Sequence, residues 1–347
     1  MNPPVLGPDL IERSRPLARF CRWLRDHPLF VIPVFLCAYG AATIDVGDFR
    51  VLSAAPLQLH VEPSRQFLHF SPLPFVLGYP VTRAVGPAWA FAIVMLGGLI
   101  VSAAALRHFV AVRYGTRQND AMLMVFATPL MIVLSQYIGK SDPFMVAFLL
   151  LLAASSNPMV QVLMACLVVL SHLEMGLLVL VSAIFLRIVP VRWTTIGGLA
   201  GVLLVLGYHH YLLPAPPQSR ADMGVAYLSV AADAVMNTPV LHLVAMFGPF
   251  WLCVLTARHL GWRWFLVFVA TTAVASATLD FTRVFILVGL PLVIAIVDNV
   301  VTRSHEATPG WLSVLPLFAF FQVHLLSTYV YDSRVPQLLG RLLEFMP

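Results

Sequence analysis

The chain has 347 residues, of which 60% are hydrophobic and only 11% charged, under half the charged share of an ordinary soluble domain. That balance excludes a soluble enzyme and fits a polytopic helical membrane protein. The formal net charge is +5 and no nucleic-acid partner is expected, and the four scattered cysteines have neither a CxxC pair nor a metal-site spacing.

Residues 1–27 carry five arginines and no apolar core, so they read as a cytoplasmic basic segment that can lie along the membrane surface as a short helix. From residue 28 to 330 the apolar runs follow one another. We read one all-α transmembrane domain of about eleven spans, within a range of roughly nine to twelve. The spans are placed at 28–44, 88–106, 121–138, 143–155, 158–171, 175–189, 194–210, 240–257, 262–279, 284–301 and 311–329. The two that meet at Asn157 are short for a crossing and read as a tilted pair or a hairpin. Residues 331–347 form a short tail. Two loops are long. The loop at 45–87 contains SPLPFVLGYP and is expected to form short interfacial helices. The loop at 209–239 is expected to hold one helix near 221–236.

The short loops containing RHFVAVRYGTR, RIVPVR and ARHLGWR all fall on one side of this arrangement. Arginine in short loops marks the cytoplasmic face. The N-terminus is therefore expected inside and both long loops outside.

Each outward-going span ends in ionisable groups: Asp45 and Asp48, Lys140 and Asp142, His172 and Glu174, His209 and His210, Asp280 and Arg283, Asp332 and Arg334. Charges at helix ends normally meet water. Here the outer ends mix acids, histidines and bases, whereas the inner ends carry mostly arginine. That asymmetry predicts a shared polar cavity on the outer side. Lys140 is the single lysine in a chain with 20 arginines. It has no evident local duty, and a compact ammonium suits a phosphate. Asp142 precedes Pro143 and is expected to cap the helix that begins there. Asp280 and Arg283 stand three apart, so each can neutralise the other, or the guanidinium can meet a phosphate. Asp45 and Asp48 flank Gly47 in a turn and suit a general base or a cation ligand. His60, His69, His209 and His210 lack a metal-site spacing, and no metal site is expected. No P-loop, GxSxG, HExxH or dinucleotide fingerprint occurs.

The outer acids after the first span, the segment TPLMIVLSQYIGKSDPFMVAFLLLLAASS, the following VQVLMACLVVLSHLEMGLLVLVSAIFL and the late DFTRVFILVGLPLV together resemble the polytopic glycosyltransferases of the GT-C fold. The likeness covers roughly 28–300. It departs from the family in spacing its first-loop acids as Asp-x-x-Asp and in lacking an appended soluble domain. The resemblance implies a GT-C-like bundle in the bacterial inner (plasma) membrane, with its active site on the periplasmic or extracellular side. It implies an inverting transfer of a sugar from a polyprenyl-phosphate donor to a lipid-linked or glycan acceptor. Asp45 or Asp48 would be the base, and Lys140 and Arg283 would hold the donor phosphate. Asp142, His172, Glu174, His209 and Asp280 would line the sugar or acceptor pocket. Membrane lipid is the other expected partner, and a divalent cation, Mg or Mn, is the one cofactor this chemistry leaves room for. A polysaccharide polymerase or ligase, a flippase-type transporter and a membrane acyltransferase remain open alternatives.

Overall fold

The computed structural model describes residues 15–31, 49, 53–57, 67–136, 140–215, 217, 220–257, 260–278, 280–303, 324–326 and 329–331. The helices within this range are α1 (Arg15–Asp26), α2 (Leu73–Val85), α3 (Pro87–Phe91), α4 (Gly97–Tyr114), α5 (Gln118–Phe126), α6 (Leu130–Gln136), α7 (Asp142–Ala154) and α8 (Pro158–Ser171). They continue with α9 (Leu173–Phe185), α10 (Val191–Gly207), α11 (Arg220–Asn237), α12 (Pro239–Phe247), α13 (Trp251–Thr256), α14 (Trp262–Ser276), α15 (Phe281–Val288) and α16 (Leu290–Arg303). Pro87–Phe126, Val191–Leu212 and Pro239–Thr256 are long and apolar enough to cross a membrane, as an integral membrane protein requires. The segments Phe281–Val288 and Leu290–Thr302 pass the same test as one span bent by 55°.

Local chemistry explains the boundaries. Gly115 adopts φ 54° and ends α4. Thr128 ends α5, its hydroxyl donating to the Val125 carbonyl and accepting from the Leu130 amide. Asn157 opens α8 by accepting from the Met159 and Val160 amides, with Pro158 in the first helical position. His172 closes α8 and caps α9, its Nδ1 accepting from the Met175 amide at 3.4 Å. The helices α7, α8 and α9 therefore run in tight succession. At 13, 14 and 13 residues each is about 20 Å long, short of the ~30 Å hydrocarbon core. The two short helices that meet at Asn157 pack against each other.

Packing of this group depends on glycine. A Cβ at Gly197 would lie 2.2 Å from the Val162 carbonyl oxygen, and one at Gly201 would lie 2.7 Å from Val169 Cβ. The Gly-x-x-x-Gly face of α10 thus lets the backbone of α8 approach closely.

Two sequence expectations change here. The eleventh span, expected as a helix over 311–329, is β-structure where described: His324–Leu326 pairs antiparallel with Tyr329–Tyr331. The run His-Leu-Leu-Ser-Thr-Tyr-Val-Tyr is rich in β-branched and aromatic residues, and hydropathy alone cannot separate that from a helix. The tenth span, placed over 284–301, is broken at Gly289. Of the first span, residues 32–44 lie outside the described residues.

The ends of the helices sort the arginines. Arg113 Nε and Nη2 donate to Asp298 at 2.7 and 2.6 Å, and the Tyr114 hydroxyl donates to the same carboxylate at 2.8 Å. Arg117 donates to the Val301 carbonyl. Arg25 on α1 binds Asp120 on α5 through two bonds of 2.8 and 3.0 Å. These contacts clamp the basic amphipathic α1 to the same end of the bundle as the C-termini of α4 and α16. Leu186 and Arg187, just after α9, share a cavity with Asp298 and Thr302. Hence α9 runs alongside the α15–α16 pair in the same direction, and the N-termini of α9 and α15 lie together at the opposite end.

Candidate functional site

That opposite end holds the polar groups singled out from the sequence. Arg283, on the first turn of α15, donates from Nε to Asp142 Oδ2 at 2.6 Å and from Nη2 to Asp142 Oδ1 at 2.9 Å. Its Nη1 reaches Asp280 Oδ2 at 3.4 Å. Asp142 is 0% exposed and Arg283 9%. This fork-to-fork pair spans 141 residues of sequence and ties α7 to α15. All eight residues of α15 are buried.

Three assignments are thereby revised. Asp142 does not cap α7: the capping position is Ser141, no side-chain cap bond forms, and the Asp142 carboxylate serves Arg283 instead. The Asp142 and Asp280 carboxylates, expected in the pocket lining, both contact the guanidinium. Arg283 is not a bare phosphate clamp either. Its Nε/Nη2 edge is filled by the Asp142 carboxylate, and its Nη1 reaches Asp280.

Lys140 is partly exposed and stands two residues before Asp142, so the turn that places the aspartate also presents the lysine beside the pair. His172 is 1% exposed and spends its Nδ1 on the start of α9, which makes it a positioning group for the partly exposed Glu174 on the first turn.

His209 belongs to a second group. Its Nε2 donates to the His69 carbonyl at 3.0 Å, and its ring meets Phe70 edge-on at 4.7 Å. The neighbouring Tyr208 hydroxyl donates to the Pro56 carbonyl at 2.5 Å and lies 2.7 Å from His69 Nδ1. Tyr208 has one proton to give. With that proton on Pro56, His69 Nδ1 carries the hydrogen that reaches the tyrosine oxygen. Residues 208–212 form a π-helical turn that ends α10, and this distortion aims both side chains at the first long loop.

Asp45 and Asp48 lie outside the described residues. Phe49, the next residue, is fully buried, and it shares one hydrophobic cluster with Leu68, Phe75, Phe91 and Phe144. Its ring packs edge-on against Phe91 at 5.5 Å. Phe144 is two residues from Asp142 and closes against Gly98 of α4, where a Cβ would come within 2.9 Å of the ring. The chain immediately after Asp48 is therefore packed in the same cluster as the helix that carries Asp142.

His242 behaves as a packing residue. Its Nδ1 lies 2.8 Å from the Thr238 carbonyl and its ring meets Phe281 edge-on. Among the described residues no group of three or more His, Cys, Asp or Glu is placed to hold a metal ion. The sequence reading missed the Arg113–Tyr114–Asp298 network and the Tyr208–His69 contact. An acid near the arginine-rich end of an apolar helix was the available signal for the first.

Comparison with protein-family models, curated proteins and solved structures gives no match.

Proposed function

We propose that the protein is a membrane glycosyltransferase that moves a sugar from a polyprenyl-phosphate donor to an acceptor hydroxyl on the extracytoplasmic face of a bacterial plasma membrane. The GT-C-like topology with a cytoplasmic N-terminus belongs to this reading. The arginine-rich end then faces the cytoplasm, where the positive-inside rule puts it. The observation that carries the reading is the buried Arg283–Asp142 pair. It gathers Lys140, Asp280 and the N-terminus of α15 at the end opposite the arginines. Helix N-termini favour anions, and a phosphate leaving group is an anion.

In the reaction the acceptor oxygen attacks the anomeric carbon as the bond from that carbon to the phosphate oxygen breaks on the opposite face, inverting the centre. The hydroxyl proton passes to Asp45 or Asp48, and the electron pair leaves with the polyprenyl phosphate. Lys140 and the Arg283 guanidinium meet the charge that develops there. Asp142 holds Arg283 in place, and His172 holds the turn carrying Glu174, which faces sugar or acceptor. His209 and His69 tie the first loop over the site.

The test is sugar transfer in membranes, using a panel of synthetic short-chain polyprenyl-phosphate hexoses and pentoses. Asp45→Asn or Asp48→Asn lowers turnover at least a hundredfold. Lys140→Ala raises the donor KM at least tenfold. Full turnover in both aspartate variants and in the double variant would remove the base and, with it, the reading.

A second reading rests on the 55° break between α15 and α16. Discontinuous helices whose ends face a charged site are a feature of transporters. A flippase would carry the lipid-linked sugar across liposomes with no new glycosidic bond, and neutralising Asp45 and Asp48 would leave that movement intact.

A further inference from the structure

A cavity of about 390 Å³ opens at the arginine-rich end, between the chain after α9, the start of α14 and the end of α16. It stands apart from the site above. Arg113, Arg187 and Arg263 line it, and Asp298, already bound in bidentate fashion by Arg113, is the one carboxylate in its lining.

Arg187 sits where a glycine normally does. Its amide bonds the Ile184 carbonyl, the Ile188 amide bonds the Ala183 carbonyl, and its own φ is +60°. This is a Schellman ending whose left-handed position strongly favours glycine. A side chain there costs folding free energy, yet this one is an arginine on the lip of a cavity.

Arg263 is fixed by ring faces rather than by an acid. Its guanidinium carbon lies 5.6 Å from the Trp262 ring centre and 5.8 Å from that of Phe185. Stacking of this kind leaves the N–H edges available for an acceptor. The helix beneath it, α14, begins at Gly261 with no side-chain cap, and its first residues line the same cavity. The Trp264 Nε1–H, on another lining residue, is buried and has no hydrogen-bond partner.

The cavity thus offers two arginines and a helix N-terminus, all of which suit an anion with several acceptor oxygens. From its mouth a stripe of exposed apolar residues runs along α14: Trp262, Phe265, Leu266 and Val269, at the spacing of one helix face. We propose that this cavity is a binding site for the phosphodiester headgroup of an anionic phospholipid, with an acyl chain lying along the α14 stripe. The proposal is independent of the glycosyltransferase reading, since it concerns the other end of the bundle and needs only a membrane around it.

Native mass spectrometry of the full-length, detergent-purified protein tests it, with dioleoylphosphatidylglycerol, dioleoylphosphatidylcholine and inorganic phosphate as separate probes. One phosphatidylglycerol binds saturably, at least tenfold more tightly than phosphatidylcholine. Arg187→Gly and Arg263→Gln each weaken that binding at least tenfold, and Arg187→Gly does so without lowering the melting temperature, because glycine suits the backbone there. Equal affinity for the two lipids, or undiminished phosphatidylglycerol binding in the double variant, overturns the site. Saturable binding of inorganic phosphate, with phosphatidylglycerol no tighter than phosphatidylcholine, overturns the lipid as its occupant in favour of a soluble phosphate.

Discussion

Neutralising either member of the Arg283–Asp142 pair should cost at least as much as neutralising both. Arg283→Met leaves a carboxylate that is 0% exposed without the two bonds, 2.6 and 2.9 Å long, that compensate its burial. Breaking a buried ion pair from one side costs about 3–5 kcal/mol. Asp142 is the first residue of α7, where the helix dipole returns up to ~2 kcal/mol to an anion. The net cost of Arg283→Met is therefore about 2–4 kcal/mol. Asp142→Asn leaves Arg283 on the first turn of α15, where the same dipole opposes a cation, and its contact with Asp280 at 3.4 Å is long. Its cost should reach the full ~3–5 kcal/mol. The double variant carries no unpaired charge and should be no worse than the milder single, which makes the coupling at least as large as the harsher single's cost, about 3–5 kcal/mol. Equilibrium unfolding of the purified protein in mixed micelles, run as a double-mutant cycle, measures all four states. Additive costs, each below about 1 kcal/mol, would refute the claim that this pair ties α7 to α15.

Gly197→Ala should destabilise by about 1–3 kcal/mol in the same assay, because the new Cβ meets the Val162 carbonyl at 2.2 Å and a backbone atom cannot step aside. Gly207→Ala on the same helical stretch has nothing within 4 Å and should be neutral or stabilising by up to ~1 kcal/mol, which separates packing from helix propensity. Arg187→Gly should stabilise by about 1 kcal/mol, whereas Arg187→Ala should not, since only glycine relieves the φ of +60°. Asp298→Asn removes a partner from Arg113 at side chains that are 28% and 27% exposed, so solvent screening holds the loss to about 1 kcal/mol. It also removes the acid from the cavity and should tighten phosphatidylglycerol binding several-fold, read by native mass spectrometry.

Helix existence was largely legible because its punctuation is local. Asn157-Pro158 announces the start of α8, and the Gly-Thr-Arg segment after Tyr114 announces a break. The sorting of arginine to one end was legible too, as a count over short loops. What stayed hidden is non-local. Nothing near Asp142 indicates that its partner stands 141 residues away, so the Asp-Pro dipeptide read as a cap. Nothing near Gly289 shows a change of direction, because hydropathy records how apolar a run is and not where it points. Arg187 was invisible for the opposite reason: the left-handed helix ending is usually marked by a glycine, and here the mark is missing. For the catalytic acids, only the burial of Phe49 beside Phe144 speaks to their surroundings, and it does so through a neighbour.

The break at Gly289 bears on both functional readings through the same pair. A carrier must separate the elements that flank its substrate, so α7 and α15 would part during transport and the Arg283–Asp142 bonds would open. At about 3–5 kcal/mol, opening without a replacement partner would leave the open form at well under one per cent. A substrate phosphate could supply that replacement, because it matches the guanidinium fork as a carboxylate does. A transferase needs no opening: the donor phosphate meets Lys140 and the guanidinium charge while Asp142 keeps its two bonds to Arg283. The two readings therefore differ in what Asp142→Asn does to the substrate. In a carrier it removes the competitor for Arg283 and tightens binding of the lipid phosphate. In a transferase it loosens the clamp, and binding and turnover fall together.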